Sequence, residues 1–93
     1  MDIKVLELTG NKARLVFVGE GHTFMNMLAE EVLKDPAVDV ATYAMEFQFS
    51  DPELLITTTG KKDPLSVLRD ACQRLIGYCD ALLESAKRAQ AQQ

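Results

Sequence analysis

The sequence contains no tryptophan, one histidine, two cysteines and three prolines in 93 residues, and its 14 acidic side chains outnumber its 10 Lys and Arg. Each scarcity removes a class of function. With a net charge of −4 and cations scattered along the chain, there is no positive stripe to neutralise phosphates, so autonomous nucleic-acid binding is not expected. No apolar run approaches the ~18 residues of a membrane span, and Met1-Asp2-Ile3-Lys4 does not open a signal-like segment. The expected location is the cytoplasm. His22 is the sole imidazole and both cysteines fall far from it in sequence, so neither a Ser-His-Asp nor a Cys-His arrangement can be assembled with another base. Gly19-Glu20-Gly21 lacks the third glycine or following lysine of a phosphate loop, and Glu20 would repel phosphate. Cys72 and Cys79 are two helical turns apart, ~10 Å, too far for a disulfide. Without further ligands nearby they read as reduced packing thiols of a core or an interface. Glu30 and Glu31 read as a solvated helix face, with no carboxylate cluster suited to Mg²⁺. The chain is therefore expected to hold no cofactor, no metal and no catalytic residue.

What is present is a composition of 47% hydrophobic and 26% charged residues, enough for one folded domain and too short for two. Ile3, Val5, Leu6 and Leu8, then Arg14-Leu15-Val16-Phe17-Val18, flank a turn at Gly10-Asn11-Lys12 and predict a β-hairpin. Thr23 is placed to cap a first helix with apolar positions Phe24, Met27, Leu28, Val32 and Leu33, which ends at Lys34-Asp35-Pro36. From Val38 the pattern turns to period two, with Tyr43, Met45, Phe47 and Phe49 on one face and Val40, Thr42, Ala44 and Glu46 on the other. After Ser50-Asp51-Pro52-Glu53, the segment Leu54 to Thr59 returns as its antiparallel mate. Asp63-Pro64 is a strong helix start, aspartate at the cap and proline at the first position. The expected architecture is α+β, a four-stranded antiparallel sheet with two helices in the order β-β-α-β-β-α. Residues 1–89 form one domain and 90–93 a frayed polar tail.

The last helix carries the strongest signal. Leu65, Leu68, Cys72, Leu75, Cys79, Leu82 and Ala86 recur at spacings of three and four, a heptad seam that calls for another helix. Ala71, Ile76, Tyr78 and Leu83 make a second stripe beside it, wider than one neighbouring surface covers. About 25 residues give a rod of roughly 37 Å, against a radius of gyration of ~12 Å for a compact domain of this length. The surplus predicts a protein partner. Phe24, Met27 and Leu28 of the first helix are expected to share this interface with Leu68, Cys72, Leu75, Ile76, Cys79, Leu82 and Leu83.

Glu20-Gly21-His22-Thr23-Phe24-Met25-Asn26 and the Tyr43 strand resemble the archaeal RNA polymerase subunit L family, which includes small alpha-like subunits of the eukaryotic nuclear polymerases. In that family an acidic residue and His-Thr precede Leu-Gly-Asn-x-Leu. A strand with a tyrosine and a His-Pro pair follows, then a strand ending near a threonine, then a long helix opened by proline. Glu20, His22, Thr23, Asn26, Leu28, Tyr43, Thr59 and Pro64 occupy the matching places. Phe24-Met25 stand where Leu-Gly is usual, and Glu46-Phe47-Gln48-Phe49 where His-Pro is usual. The resemblance implies a non-catalytic polymerase subunit that forms a heterodimer with the larger alpha-like subunit, D in archaea, as the platform for the large catalytic subunits. A ferredoxin-like small-molecule-sensing dimerisation domain is the alternative, with Gly19 to Gly21 as its only candidate loop.

Overall fold

Alternation in the second strand places Ala13, Leu15 and Phe17 on one side of the backbone and Arg14, Val16 and Val18 on the other. In the computed structural model, which describes residues 2–45 and 50–91, the first set is buried and the second half-exposed. The elements are β1 (Asp2–Leu8), β2 (Lys12–Val18), α1 (His22–Leu33), β3 (Val38–Ala44), β4 (Glu53–Thr58) and α2 (Pro64–Ala91). Every strand pairing is antiparallel and the sheet order is β1-β2-β4-β3, so the two expected hairpins sit side by side with β2 against β4. The continuation of β3 through Phe47 and Phe49, and the departure at residues 46–49, lie outside the described residues.

Both helices lie on one face of this sheet. The core there joins Leu15 and Phe17 of β2 and Leu54 and Ile56 of β4 to Met25, Leu28 and Val32 of α1 and Val67 and Ala71 of α2. Two turns are set by special backbone: Gly19 at φ 81 and Gly60 at φ 91 occupy the left-handed region that side-chain-bearing residues avoid. Gly19 also donates its N–H to Asp51 Oδ1 at 2.8 Å, tying the β2–α1 turn to the β3–β4 turn.

The start of α2 follows the expected chemistry. Asp63 Oδ1 accepts the Ser66 backbone N–H at 2.9 Å and Oδ2 accepts the Ser66 hydroxyl at 2.7 Å, while Pro64 opens the helix and is buried. We expect Asp63→Ala to lower the melting temperature by about 4 to 8 °C, as loss of one N-cap does in a domain of this size, measurable by circular dichroism.

Several expectations need correction. Thr23 does not cap α1: the helix begins at His22, two residues earlier than a Thr23 cap implies, Gly21 holds the cap position, and no side chain among the described residues caps it. The buried face of α1 comprises Met25, Leu28, Ala29, Glu31 and Val32, with Met27 and Leu33 exposed, because the helix lies along β3 and turns its Met25 side to the sheet. Met25 therefore fills the core. Glu31 is buried and not solvated, since α2 crosses α1 there. Finally, α2 continues through Ala91, so Gln90 and Ala91 are helical, and Gln92 and Gln93 lie outside the described residues.

Candidate functional site

The first three turns of α2, to Leu75, are packed on the domain, and beyond them the helix projects. Pro64, Val67 and Ala71 are buried, Leu68 and Leu75 are half-buried against the core, and every residue from Ile76 to Ala91 is exposed. At 1.5 Å per residue the helix is ~42 Å long. The molecule accordingly measures 51 × 35 × 18 Å, and its radius of gyration of 15.6 Å exceeds the ~12 Å of a compact chain this size. Ile76, Leu82 and Leu83 stand 61, 69 and 58% exposed. Leaving such side chains in water forgoes roughly 1.5 to 3 kcal/mol each relative to burial.

The apolar stripe divides where the fold turns. Ala71, assigned from sequence to the second stripe with Ile76 and Leu83, faces the sheet and is fully buried, whereas Cys72, Ile76, Cys79 and Leu83 run along the flank away from it. Between this flank and α1 lies an open groove of ≈ 290 Å³ lined by Phe24, Met27, Leu28, Cys72, Leu75, Ile76, Cys79 and Asp80. Of the predicted interface residues the structure thus gathers Phe24, Met27, Cys72, Leu75, Ile76 and Cys79 on one surface, and places Leu82 and Leu83 farther along the same helix. Leu28 shows only its edge to the groove; at 1% exposure its side chain belongs to the core. Leu68 is packed against that core as well. Cys72 and Cys79 are both free thiols on the exposed surface, so the core half of the sequence reading does not apply to them.

A charged clamp fixes the direction in which the free half of α2 leaves. Glu31 Oε1 accepts Arg74 Nε at 2.7 Å and the Tyr78 hydroxyl at 3.2 Å, Arg74 also donates to the Glu31 carbonyl at 2.8 Å, and Lys34 Nζ lies 2.9 Å from Oε2. Lys34 sits over the Tyr78 ring, 5.6 Å from its centroid. Hydrogen bonds from Arg74, then from Lys34, hold the Glu31 carboxyl down at about 2 against the opposing effect of burial. A second tie joins Lys62 to Asp35 at 2.7 Å and to Asp70, and Asp35 accepts the Ala37 N–H at 2.9 Å. Lys62 and that backbone N–H keep the Asp35 carboxyl below its ordinary value. Sequence reasoning missed the first clamp: Glu31 and Arg74 are 43 residues apart, and no local pattern links them.

The residues of the motif come together at the other end of α1. His22 Nδ1 and Tyr43 Oη are hydrogen-bonded at 3.1 Å with their rings 5.7 Å apart, so His22 ties α1 to β3. Thr23 and Asn26 are exposed beside them, and with Met27 and Glu30 they border an open hollow of ≈ 490 Å³. Glu20 is half-buried in the preceding turn. Within Gly19 to Gly21, the candidate loop of the sensing alternative, the Gly19 N–H is bonded to Asp51 Oδ1. Among the described residues no helix is long and apolar enough to cross a membrane.

Comparison with known proteins bears on this surface. Residues 12–85 match the family described as the RNA polymerase Rpb3/Rpb11 dimerisation domain, a stretch that includes α1, the sheet from β2 onward and most of α2. The chain is 39% identical over 89 residues to the DNA-directed RNA polymerase subunit Rpo11 of Methanothrix thermoacetophila, covering 96% of this chain and 98% of that one. It is 36% identical over 85 residues to the Rpo11 subunit of Archaeoglobus fulgidus, covering 90% and 98%. The crystal structure of DNA-directed RNA polymerase subunit L from Thermoplasma acidophilum superposes with a TM-score of 0.84 at 22% identity, over 94% of this chain and 86% of that one, and so shares the fold. A sheet with a half-supported apolar helix, matched over residues 12–85 by a dimerisation family, leads to one assignment: the chain belongs to the RNA polymerase Rpb3/Rpb11 dimerisation-domain family.

Proposed function

We propose that this chain is a non-catalytic subunit of a cytoplasmic DNA-directed RNA polymerase, pairing with the larger alpha-like subunit, D in archaea, to form the platform on which the large catalytic subunits assemble. The observation that carries the reading is the free half of α2, apolar along one flank and exposed from Ile76 onward within a domain of a dimerisation family. The partner contact is made by Phe24 and Met27 of α1 with Cys72, Leu75, Ile76, Cys79, Leu82 and Leu83 of α2, and Leu68 and Leu28 support it from beneath. The motif residues Glu20, His22, Thr23, Asn26, Tyr43 and Pro64 act structurally, setting the start and tilt of the two helices. The whole chain serves as a single dimerisation unit.

Co-expression tests this. Expressed alone, the chain is expected to be poorly soluble or to self-associate, because the exposed flank has no cover. Expressed with the larger subunit, it is expected to elute as a soluble one-to-one complex in size-exclusion chromatography. A well-behaved monomer that ignores the larger subunit, and gains thermal stability on adding a small ligand, would point to the sensing domain instead.

A further inference from the structure

The first strand carries an apolar surface that the domain leaves uncovered. Ile3 pairs with Phe17, Val5 with Leu15 and Leu8 with Ala13, and directly opposed residues share a face of the sheet. Phe17, Leu15 and Ala13 are core. Their neighbours on β1 continue the same face one strand farther, yet stand 43, 58 and 46% exposed. The cause is where the helices lie: α1 runs along β3, and α2 crosses β4 and β2 within its first turns and then departs. A register shift between Val5 and Glu7 preserves this arrangement, putting Glu7 on the opposite face with Arg14 and returning Leu8 to the helix side. An edge strand with such a row, left open, is a liability that folded proteins ordinarily cover.

From this we infer that Ile3, Val5 and Leu8 form the seat for the projecting last helix of the partner subunit. The inference rests on the pairing proposed above and adds a second contact surface to it. The family description gives one dimerisation domain to both Rpb3 and Rpb11, so the two members of such a pair present related folds. When two like folds pair about an approximate twofold axis, a contact made by one element on its partner is matched by the reciprocal contact. The free half of α2, Ile76 to Ala91, is ~24 Å long and must lie on apolar surface of the partner. The partner's equivalent needs the same in return. The row from Ile3 to Leu8 spans about 17 Å, carries no charge on its helix side, and extends a core face that already accepts a helix.

The test uses the co-purified pair. A photo-crosslinking amino acid, p-benzoylphenylalanine, is placed at Val5 or, as the control, at Lys4, whose pairing with Val16 puts it on the opposite face. Mass spectrometry of the irradiated pair is expected to map the Val5 cross-link to the last helix of the larger subunit's alpha-like domain, and to find no such link from Lys4. In a pull-down, Ile3→Glu with Val5→Glu is expected to weaken pairing about tenfold or more, and Lys4→Glu by less than about twofold. The cross-link does not depend on a disruptive substitution, so poor folding of the double variant does not decide the matter. A Val5 link to any other part of the partner, or no link in a pair that forms, overturns the inference; if Leu82→Glu still weakens that pair, the pairing itself stands. Should Leu82→Glu leave pairing intact as well, the projecting helix is not the contact surface, and failure of the two subunits to co-purify at all is what removes the pairing itself.

Discussion

Leu82→Glu is expected to weaken association with the larger subunit by about 3 kcal/mol or more, roughly a hundredfold in Kd, while leaving the fold of this chain unchanged. The two halves of the statement come from the same fact: Leu82 is 69% exposed and lies on the part of α2 that the domain does not touch. A carboxylate there is fully hydrated in the free chain and costs nothing. In the pair it must either be buried without a partner or hold the two surfaces apart. Leu75→Glu should weaken pairing too, but it is a less clean probe, because Leu75 is half-buried against the core and the substitution also destabilises the domain. Glu84→Lys changes charge two residues along, some 200° around the helix from Leu82, and is expected to leave Kd within about twofold. Titration calorimetry or surface plasmon resonance on the three variants decides it: equal affinities for Leu82→Glu and Glu84→Lys would remove the flank of Ile76, Cys79, Leu82 and Leu83 from the interface.

How far this face could be read in advance depends on what kind of interaction defines each residue. The six elements were legible because their signals are local: the apolar runs on either side of Gly10-Asn11-Lys12, the period-two pattern from Val38 with its return from Leu54, and the Asp63-Pro64 start all act within a few residues. The surplus length of α2 was legible for a similar reason, being a comparison of a rod with a domain radius. What failed was rotation. On α1, periodicity marks an apolar arc that runs from Phe24 through Met25 to Met27 and Leu28, and only the position of β3 decides that Met25 goes inward and Met27 outward. The same holds for Ala71 on α2. Long-range polar contacts were invisible for a stronger reason, since Glu31 resembles its exposed neighbour Glu30 until Arg74 arrives from the other helix. The uncovered row on β1 was missed because its apolar residues signal a strand equally well whether or not anything covers them.

Removal of the clamp is expected to have the largest effect on stability. Arg74→Met should cost about 2 kcal/mol, a fall of roughly 10 °C in melting temperature, because it leaves a buried carboxylate with Lys34 and Tyr78 alone. The figure is reduced from that of a fully buried pair, since the Arg74 side chain is 34% exposed and Lys34 more so. Glu31→Gln gives the matching pH signature. The folded-state carboxyl is held at about 2, below its ordinary 4.5, so the unfolded chain takes up the proton first. The stability from Glu31 is therefore complete above pH ~4.5 and is lost as pH falls toward ~2. Melts of the co-purified pair from pH 7 to pH 3 should show wild type and Glu31→Gln well separated at neutral pH and converging in acid. A constant separation across that range would mean that the carboxylate charge contributes nothing and the residue matters for shape alone. The outcome bears on pairing as well, for Arg74 and Tyr78 grip α2 just where its covered half gives way to its free half. With the clamp cut, the projecting helix would have to be oriented at the moment of binding, and the entropy of that ordering would be subtracted from the affinity of an otherwise unaltered surface.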